Sequence, residues 1–165
     1  MKLLILVANS NSYPSNLSIP SIIRAYSKSG LDSNKYEFMV YQGDHESNTL
    51  DNNVLKLKIP ENDKNVGKKV LAAFSWVYKN IEFDYLVRIT TSTYLDVKSL
   101  YEYINLLDHV PNYGGDKLVY YDKIKKEKVN FASGANLVLS KKCVKILIDN
   151  KNSWDHNQYD DVNIG

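Results

Sequence analysis

Residues 2–8 read KLLILVA, a continuous apolar run with no alternation. A strand with that pattern is covered on both faces, as inner strands of parallel sheets are. The run is too short for a secretory signal, and polar NSNSY follows it with no apolar extension or clear cleavage site. It is therefore expected to be the first strand of a layered α/β domain.

Strand and helix signals alternate along the rest of the chain. IPSIIRAYSKSG (19–30) has Pro20 near a helix start and Gly30 just past its end. YEFMVYQG (36–43) alternates as a strand does, DHESNTLDNN reads as a polar loop, and VLKLKIP (54–60) reads as a further strand closed by Pro60. NVGKKVLAAFSWVYKN (65–80) is the clearest helix, since Val66, Val70, Ala73, Phe74 and Val77 recur at spacings of three and four. FDYLVRI (83–89) predicts a strand. DVKSLYEYINLLDHV (96–110) predicts a helix capped by Asp96. PNYGGD is a turn, KLVYY (117–121) a strand and DKIKKEK a solvated loop. VNFASGANLVLS (129–140) holds one or two short strands broken at Gly134, and Ser140 caps a helix over KKCVKILIDN. The order implies an α/β domain with a mostly parallel central sheet flanked by helices. In such sheets ligands bind beyond the carboxyl ends of the strands. That rule gathers NSNSY, RITTST (88–93) and the terminal YDDVNIG.

A chain of 165 residues is the size of one domain and long enough to bury a core without disulfides. Apolar content of 44% and charged content of 24% are ordinary for a soluble protein. A net charge of +2 gives no electrostatic footprint for nucleic acid, and no such partner is expected. Nineteen lysines against two arginines, with many asparagines, isoleucines and tyrosines, fit an AT-rich coding sequence. Lysine clusters are therefore poor evidence of binding patches. Cys143 is the only cysteine, so no intrachain disulfide forms and a reducing, cytoplasmic location is expected. No run approaches the roughly 18 apolar residues of a membrane span.

Three segments carry candidate chemistry. Asp160 and Asp161 are adjacent carboxylates; acids favour helix starts, and an aspartate held in a cleft can also deprotonate an attacking hydroxyl. Ser133-Gly134 lies between apolar runs, where glycine serves either a bulge or a backbone passing close to a ligand. It lacks the glycine spacing of a nucleophile elbow. In RITTST, Arg88, Thr90, Thr91 and Ser92 can bind phosphate oxygens; alternatively the threonines simply suit a strand and Arg88 pairs with Asp84 or Asp96. Without a carboxylate the segment cannot form a hard-cation site alone. His45, His109 and His156 have no ligand-type spacing and are expected at the surface. Trp76 is expected in the core. Trp154, six residues before Asp160, can pack or can stack on a sugar ring.

Taken in order, KVLAAFSWVYKN, FDYLVRITTSTYLDVKSL, FASGANLVLS and DDVNIG resemble the segments of the beta-1,3-galactosyltransferase and Fringe-like glycosyltransferases, which have the GT-A fold. The short viral and bacterial members are the most similar. In that group a tryptophan-bearing helix is followed by a strand with a DxD motif, then a yaSGagyvlS segment and an acidic EDVxxG. The DxD segment aligns without a gap from Arg88 to Leu100, and the resemblance spans roughly residues 1–165. It implies transfer of a sugar, with inversion, from a nucleotide-sugar donor (a UDP-sugar above all) to a hydroxyl of a glycan or other acceptor. The donor would lie across Ser10, Asn11, Arg88, Thr90, Thr91 and Ser92. Ser133, Gly134 and Trp154 would contact the acceptor or sugar. Asp161 would be the base, ahead of Asp160, because the second acid of the motif is the less variable one.

Two departures from the pattern matter. In most of the family the DxD acids bind manganese or magnesium; here hydroxyls, which are poor sole ligands for a divalent cation, stand in their place. Relatives also continue beyond the equivalent of Gly165, so the chain fits a GT-A-like domain truncated at its C-terminus, one domain of a longer protein, or a minimal member. A host-cytoplasmic location would follow if the source is viral. The alternative is a non-catalytic nucleotide- or sugar-binding module that has lost the metal site. An α/β nucleotidyltransferase ranks last, since no Gly-rich phosphate loop or metal-binding carboxylates are evident.

Overall fold

The computed structural model describes the chain apart from Asn11, Ser29, residues 108–111, 123–125 and 157–159, and Gly165, with the backbone alone at Asp122. The elements are β1 (Leu3–Ala8), α1 (Ile19–Ser27), β2 (Tyr36–Gln42), β3 (Thr49–Asp51), β4 (Val54–Lys56), α2 (Val66–Asn80), β5 (Tyr85–Thr90), α3 (Val97–Asn105), β6 (Tyr113–Gly114), β7 (Lys117–Asp122), β8 (Glu127–Ala132), β9 (Asn136–Ser140), α4 (Lys141–Asp149) and α5 (Asp160–Ile164).

Seven strands form one sheet in the order β3-β4-β2-β1-β5-β9-β6, and β7 with β8 forms a separate ribbon. The four central strands β4, β2, β1 and β5 run parallel; β3, at one edge, and β9, on the other side of β5, are antiparallel to their neighbours. Leu3, Leu4, Ile5 and Leu6 are each 0% exposed. That is the physical content of the unbroken run in β1: both faces are covered. Leu4 and Leu6 pack with Val70, Phe74, Val77, Val144 and Ile164 on the side of α2, α4 and α5. Leu3, Ile5 and Val7 pack with Ile22, Tyr26, Val97 and Ile104 on the side of α1 and α3.

The expected caps are present. Asp96 accepts a hydrogen bond from the Ser99 N–H at 3.0 Å, and Ser140 accepts one from the Cys143 N–H at 3.4 Å. Several boundaries differ from expectation. The polar stretch before β4 contains β3, joined to β4 by Asn52 and Asn53 with φ of 47° and 64°. Two consecutive positive φ angles mark a two-residue hairpin turn of the type that asparagine tolerates. The strand expected over 54–60 is regular only to Lys56, although the Leu57 N–H still donates to the Gln42 carbonyl. The helix expected over 96–110 ends at Asn105, with residues 108–110 outside the described set. The expected turn at PNYGGD contains the short edge strand β6. Trp76 is half-buried against the core rather than within it.

From β1 the chain builds outward through β2 to β4, then returns through α2 to place β5 on the other side of β1. The strand order therefore switches direction between β1 and β5. In open α/β sheets the ligand crevice lies beyond such a point, at the carboxyl ends of the strands.

Candidate active site at the switch point

A cleft of about 420 Å³ opens there, its wall including Asn9 and Ser10 after β1, Asp44 after β2, Glu61 and Lys69 of the segment into α2, and Thr91 after β5. Asn9 is buried and fixed on three sides. Its N–H donates to the Tyr41 carbonyl, its amide donates to the Gln42 side chain at 3.0 Å, and its carbonyl accepts from Lys69 Nζ at 2.9 Å. Ser10 Oγ shares a hydrogen bond with Ser12 Oγ and accepts the Ser12 N–H. Asn11, expected beside it, lies outside the described residues.

Lys69 enters this wall from α2 with its ammonium almost dry. It donates to both Glu61 oxygens, at 2.7 and 2.9 Å, and lies over the Tyr41 ring. Glu61 Oε1 also accepts the Gly43 N–H, and the Glu61 N–H in turn donates to Asp44 Oδ1. The sequence reading gathered Asn9 within NSNSY without singling it out, and it did not raise Asp44, Glu61 or Lys69. Two of them had a local signal: Asn9 directly follows the buried strand, and Gly43-Asp44 ends the next one, with Asp44 in the left-handed region at φ 60°.

The hydroxyl block ends β5 as a tight turn. The Thr93 N–H donates to the Thr90 carbonyl, Thr90 Oγ1 bonds with Ser92 Oγ and Thr93 Oγ1, and Thr93 Oγ1 donates to the Ala135 carbonyl. Thr90 and Ser92 therefore knit the turn, while Thr91 has no such bond and faces the cleft. The resemblance implies manganese or magnesium at this place. A hard divalent cation takes carboxylate and carbonyl oxygens. The turn offers three neutral hydroxyls already bonded to one another, so the donor set does not fit. Among the described residues no three Asp, Glu, His or Cys side chains gather as metal ligands.

Arg88 departs most from expectation. It pairs with neither Asp84 nor Asp96, and it does not reach the cleft wall. Its Nη1 donates to the Gly134 carbonyl at 2.6 Å, its Nε donates to the Tyr41 hydroxyl at 3.2 Å, and its Nη2 lies 2.7 Å from Asp160 Oδ2. That last N–H does not line up with the oxygen, so the contact is a charge pair rather than an aligned hydrogen bond. Burial works against the guanidinium charge, but Tyr41 and Asp160 outweigh it and hold the pKa above its ordinary value. The reason is position. Arg88 alternates onto the α2–α5 face of β5, between Leu6 on β1 and Leu137 on β9, under the tail of the chain.

The tail brings the two acids to different environments. Both start the short helix α5. Asp160 is buried against Arg88. Asp161 is half-buried, and its Oδ2 accepts the Gly134 N–H at 3.1 Å while Oδ1 accepts the Val162 N–H at 3.0 Å. Gly134 is glycine because a Cβ there would come within 1.8 Å of Arg88 Nη1 and 3.4 Å of the Asp161 Cβ. The close approach inferred from sequence is thus to the protein's own arginine rather than to a ligand. Ser133 Oγ accepts the Ala135 N–H and so shapes the loop. Trp154 is 8% exposed and belongs to the core with Phe74 and Ile164, which corrects the stacking role considered for it.

His45 is half-buried, 3.0 Å from the Gln42 amide nitrogen. His156 lies against Gly67 with Nδ1 withdrawn from water, so it is not a plain surface histidine; His109 lies outside the described residues. No described helix is long and apolar enough to cross a membrane.

No family model matches the sequence, and no curated protein matches it. Among solved structures the chain is similar to S. aureus TarS 1–349, with a TM-score of 0.57 at 15% identity over 99% of this chain and 53% of that one. The chain thus spans about half the length of the structure it matches. The likeness is one of fold alone and does not reach the narrower Fringe-like group. A similarity to A197 from STIV, with a TM-score of 0.42 at 11% identity over 88% of this chain and 68% of that one, carries no argument.

Proposed function

We propose that the chain is a glycosyltransferase domain that moves a sugar from a nucleotide-sugar donor, a UDP-sugar by preference, to an acceptor hydroxyl with inversion. The donor lies in the cleft between Ser10 and Thr91, with Asn11 on the same loop, and Asp161 is the general base. The observation that carries this reading is the division of labour within the acid pair. Asp160 is spent on a buried arginine, whereas Asp161 stays half-exposed on the 133–135 loop, which Thr93 ties to the turn at the cleft.

The chemistry follows from that placement. Two N–H groups hold the Asp161 carboxylate in one orientation and leave lone pairs free, since a carboxylate accepts about four hydrogen bonds. It takes the proton of the acceptor hydroxyl as that oxygen attacks the anomeric carbon. The bond from that carbon to the diphosphate breaks on the opposite face, and the nucleoside diphosphate leaves with the bonding pair. Attack from the far side inverts the anomeric centre. Thr91 and the backbone of the turn offer neutral donors to the departing oxygens.

The test is Asp161→Asn assayed with a panel of nucleotide sugars. Transfer should be lost, with the circular dichroism spectrum and UDP binding unchanged. Full activity in this variant would remove Asp161 from the base role.

A second reading, a non-catalytic nucleotide- or sugar-binding module, is favoured by one observation: the turn has hydroxyls where related strands have acids. UDP titrations with and without manganese separate the two. Tight manganese-dependent binding contradicts the metal-free account of the turn, and UDP binding without transfer from any donor favours the module.

A further inference from the structure

A second cleft, about 420 Å³, opens on the other face of the sheet between α1 and the loop joining β5 to α3. Its lining is apolar at Ile22, Ala25, Leu95 and Val97 and carries the hydroxyls of Ser21, Tyr26, Thr91 and Tyr94. None of these four hydroxyls has a hydrogen-bond partner among the described residues. Tyr26 is the telling one. The residue is 5% exposed, and its hydroxyl tip reaches solvent in the cleft without a protein partner. Burial pushes the Tyr26 pKa up to about 12, with Tyr94 adding to the effect, so the phenol remains a protonated donor at neutral pH. At the rim stands Tyr94, 89% exposed, an aromatic ring that nothing in the protein covers.

The combination is specific to one ligand chemistry. An apolar lining and an open aromatic ring receive the C–H face of a pyranose, and hydroxyls at the edges exchange hydrogen bonds with the ring's own hydroxyls. A diphosphate would require several cations or a row of N–H groups, and the lining has a single lysine, Lys28. We propose that the cleft between α1 and the β5–α3 loop is a saccharide-binding site, separate from the donor cleft and meeting it only at Thr91. The site stands whether or not the domain transfers sugar, because it uses neither Asp161 nor the loop after β1 and shares only Thr91 with the donor cleft.

The experiment is an amide NMR titration of the whole chain with methyl β-galactoside, N-acetylglucosamine, methyl α-mannoside and glucose, each into the millimolar range. At least one sugar should give saturable shifts concentrated at Ser21, Ala25, Thr91 and Tyr94. Tyr94→Ala, at an exposed position, should weaken that binding about tenfold while the rest of the spectrum stays in place, and Tyr26→Phe should weaken it several-fold. Asp161→Asn should leave it unchanged, which keeps this outcome distinct from the fate of the transferase reading. Absence of saturable shifts with all four sugars would overturn the proposal. So would shifts confined to Asn9 and Ser10, or binding that both tyrosine variants leave intact.

Discussion

The Arg88 guanidinium and the Asp160 carboxylate meet at 2.7 Å with side chains only 6% and 10% exposed, joining the central sheet to α5 across 72 residues of sequence. Removing one partner leaves the other charged and dry. Arg88→Met should therefore cost about 3–5 kcal/mol in urea unfolding. The double variant Arg88→Met/Asp160→Leu should recover part of that loss, because both charges leave together. A double variant no more stable than the single one would show that the pair does not behave as a coupled unit.

Gly134→Ala tests the same crossing from the side of the backbone. The added methyl would sit 1.8 Å from Arg88 Nη1, a separation the structure can relieve only by shifting the arginine or the loop. A loss of about 1–3 kcal/mol is expected, the usual cost of overpacking. It should appear as a lower Tm with unchanged secondary structure by circular dichroism.

Lys69 ties the cleft wall to α2 through Glu61 and the Asn9 carbonyl. Lys69→Met should destabilise the fold by about 3 kcal/mol, since it strands the Glu61 carboxylate. It should also weaken UDP binding, because Gly43, Asp44 and Asn9 lose the support that sets their positions. Calorimetric titration at a temperature where the variant remains folded checks the second effect. Undiminished UDP affinity would place the nucleotide elsewhere.

Asp96 gives a pH dependence with a defined sign. The Ser99 N–H and hydroxyl hold its pKa below the ordinary aspartate value. A carboxyl whose folded pKa is depressed adds stability above its unfolded pKa, and that stability is lost as pH falls through the folded value. Asp96→Ala should therefore lower Tm at neutral pH, and the gap should close in acid. Asp96→Asn should track the wild type more closely, as asparagine also caps helices.

The parts of the fold that were legible in the sequence are those set by local periodicity. The unbroken run of β1, the apolar face of α2 and the caps Asp96 and Ser140 each follow from neighbouring residues. The β3 strand was hidden because all three of its residues are exposed and polar contacts dominate its sequence; Asn52-Asn53, the pair suited to a tight hairpin, was its one local signal. Arg88 was misplaced for a different reason. Nearby acids at 84 and 96 looked like partners, but strand alternation points its side chain to the α2–α5 face, where only residues distant in sequence lie. The same long-range packing put Trp154 in the core and divided Asp160 from Asp161, two residues that composition makes identical.

Helix α5 spans five residues, too few to persist on intrinsic helical stability. Its anchors are Asp160 on Arg88 and the buried Val162 and Ile164. Every described strand of the sheet precedes it in the chain. On a ribosome these strands would emerge before the residue that neutralises the cation buried among them. The nascent domain then holds an uncompensated charge at its centre, and it matures only when residues 160–164 have cleared the exit tunnel.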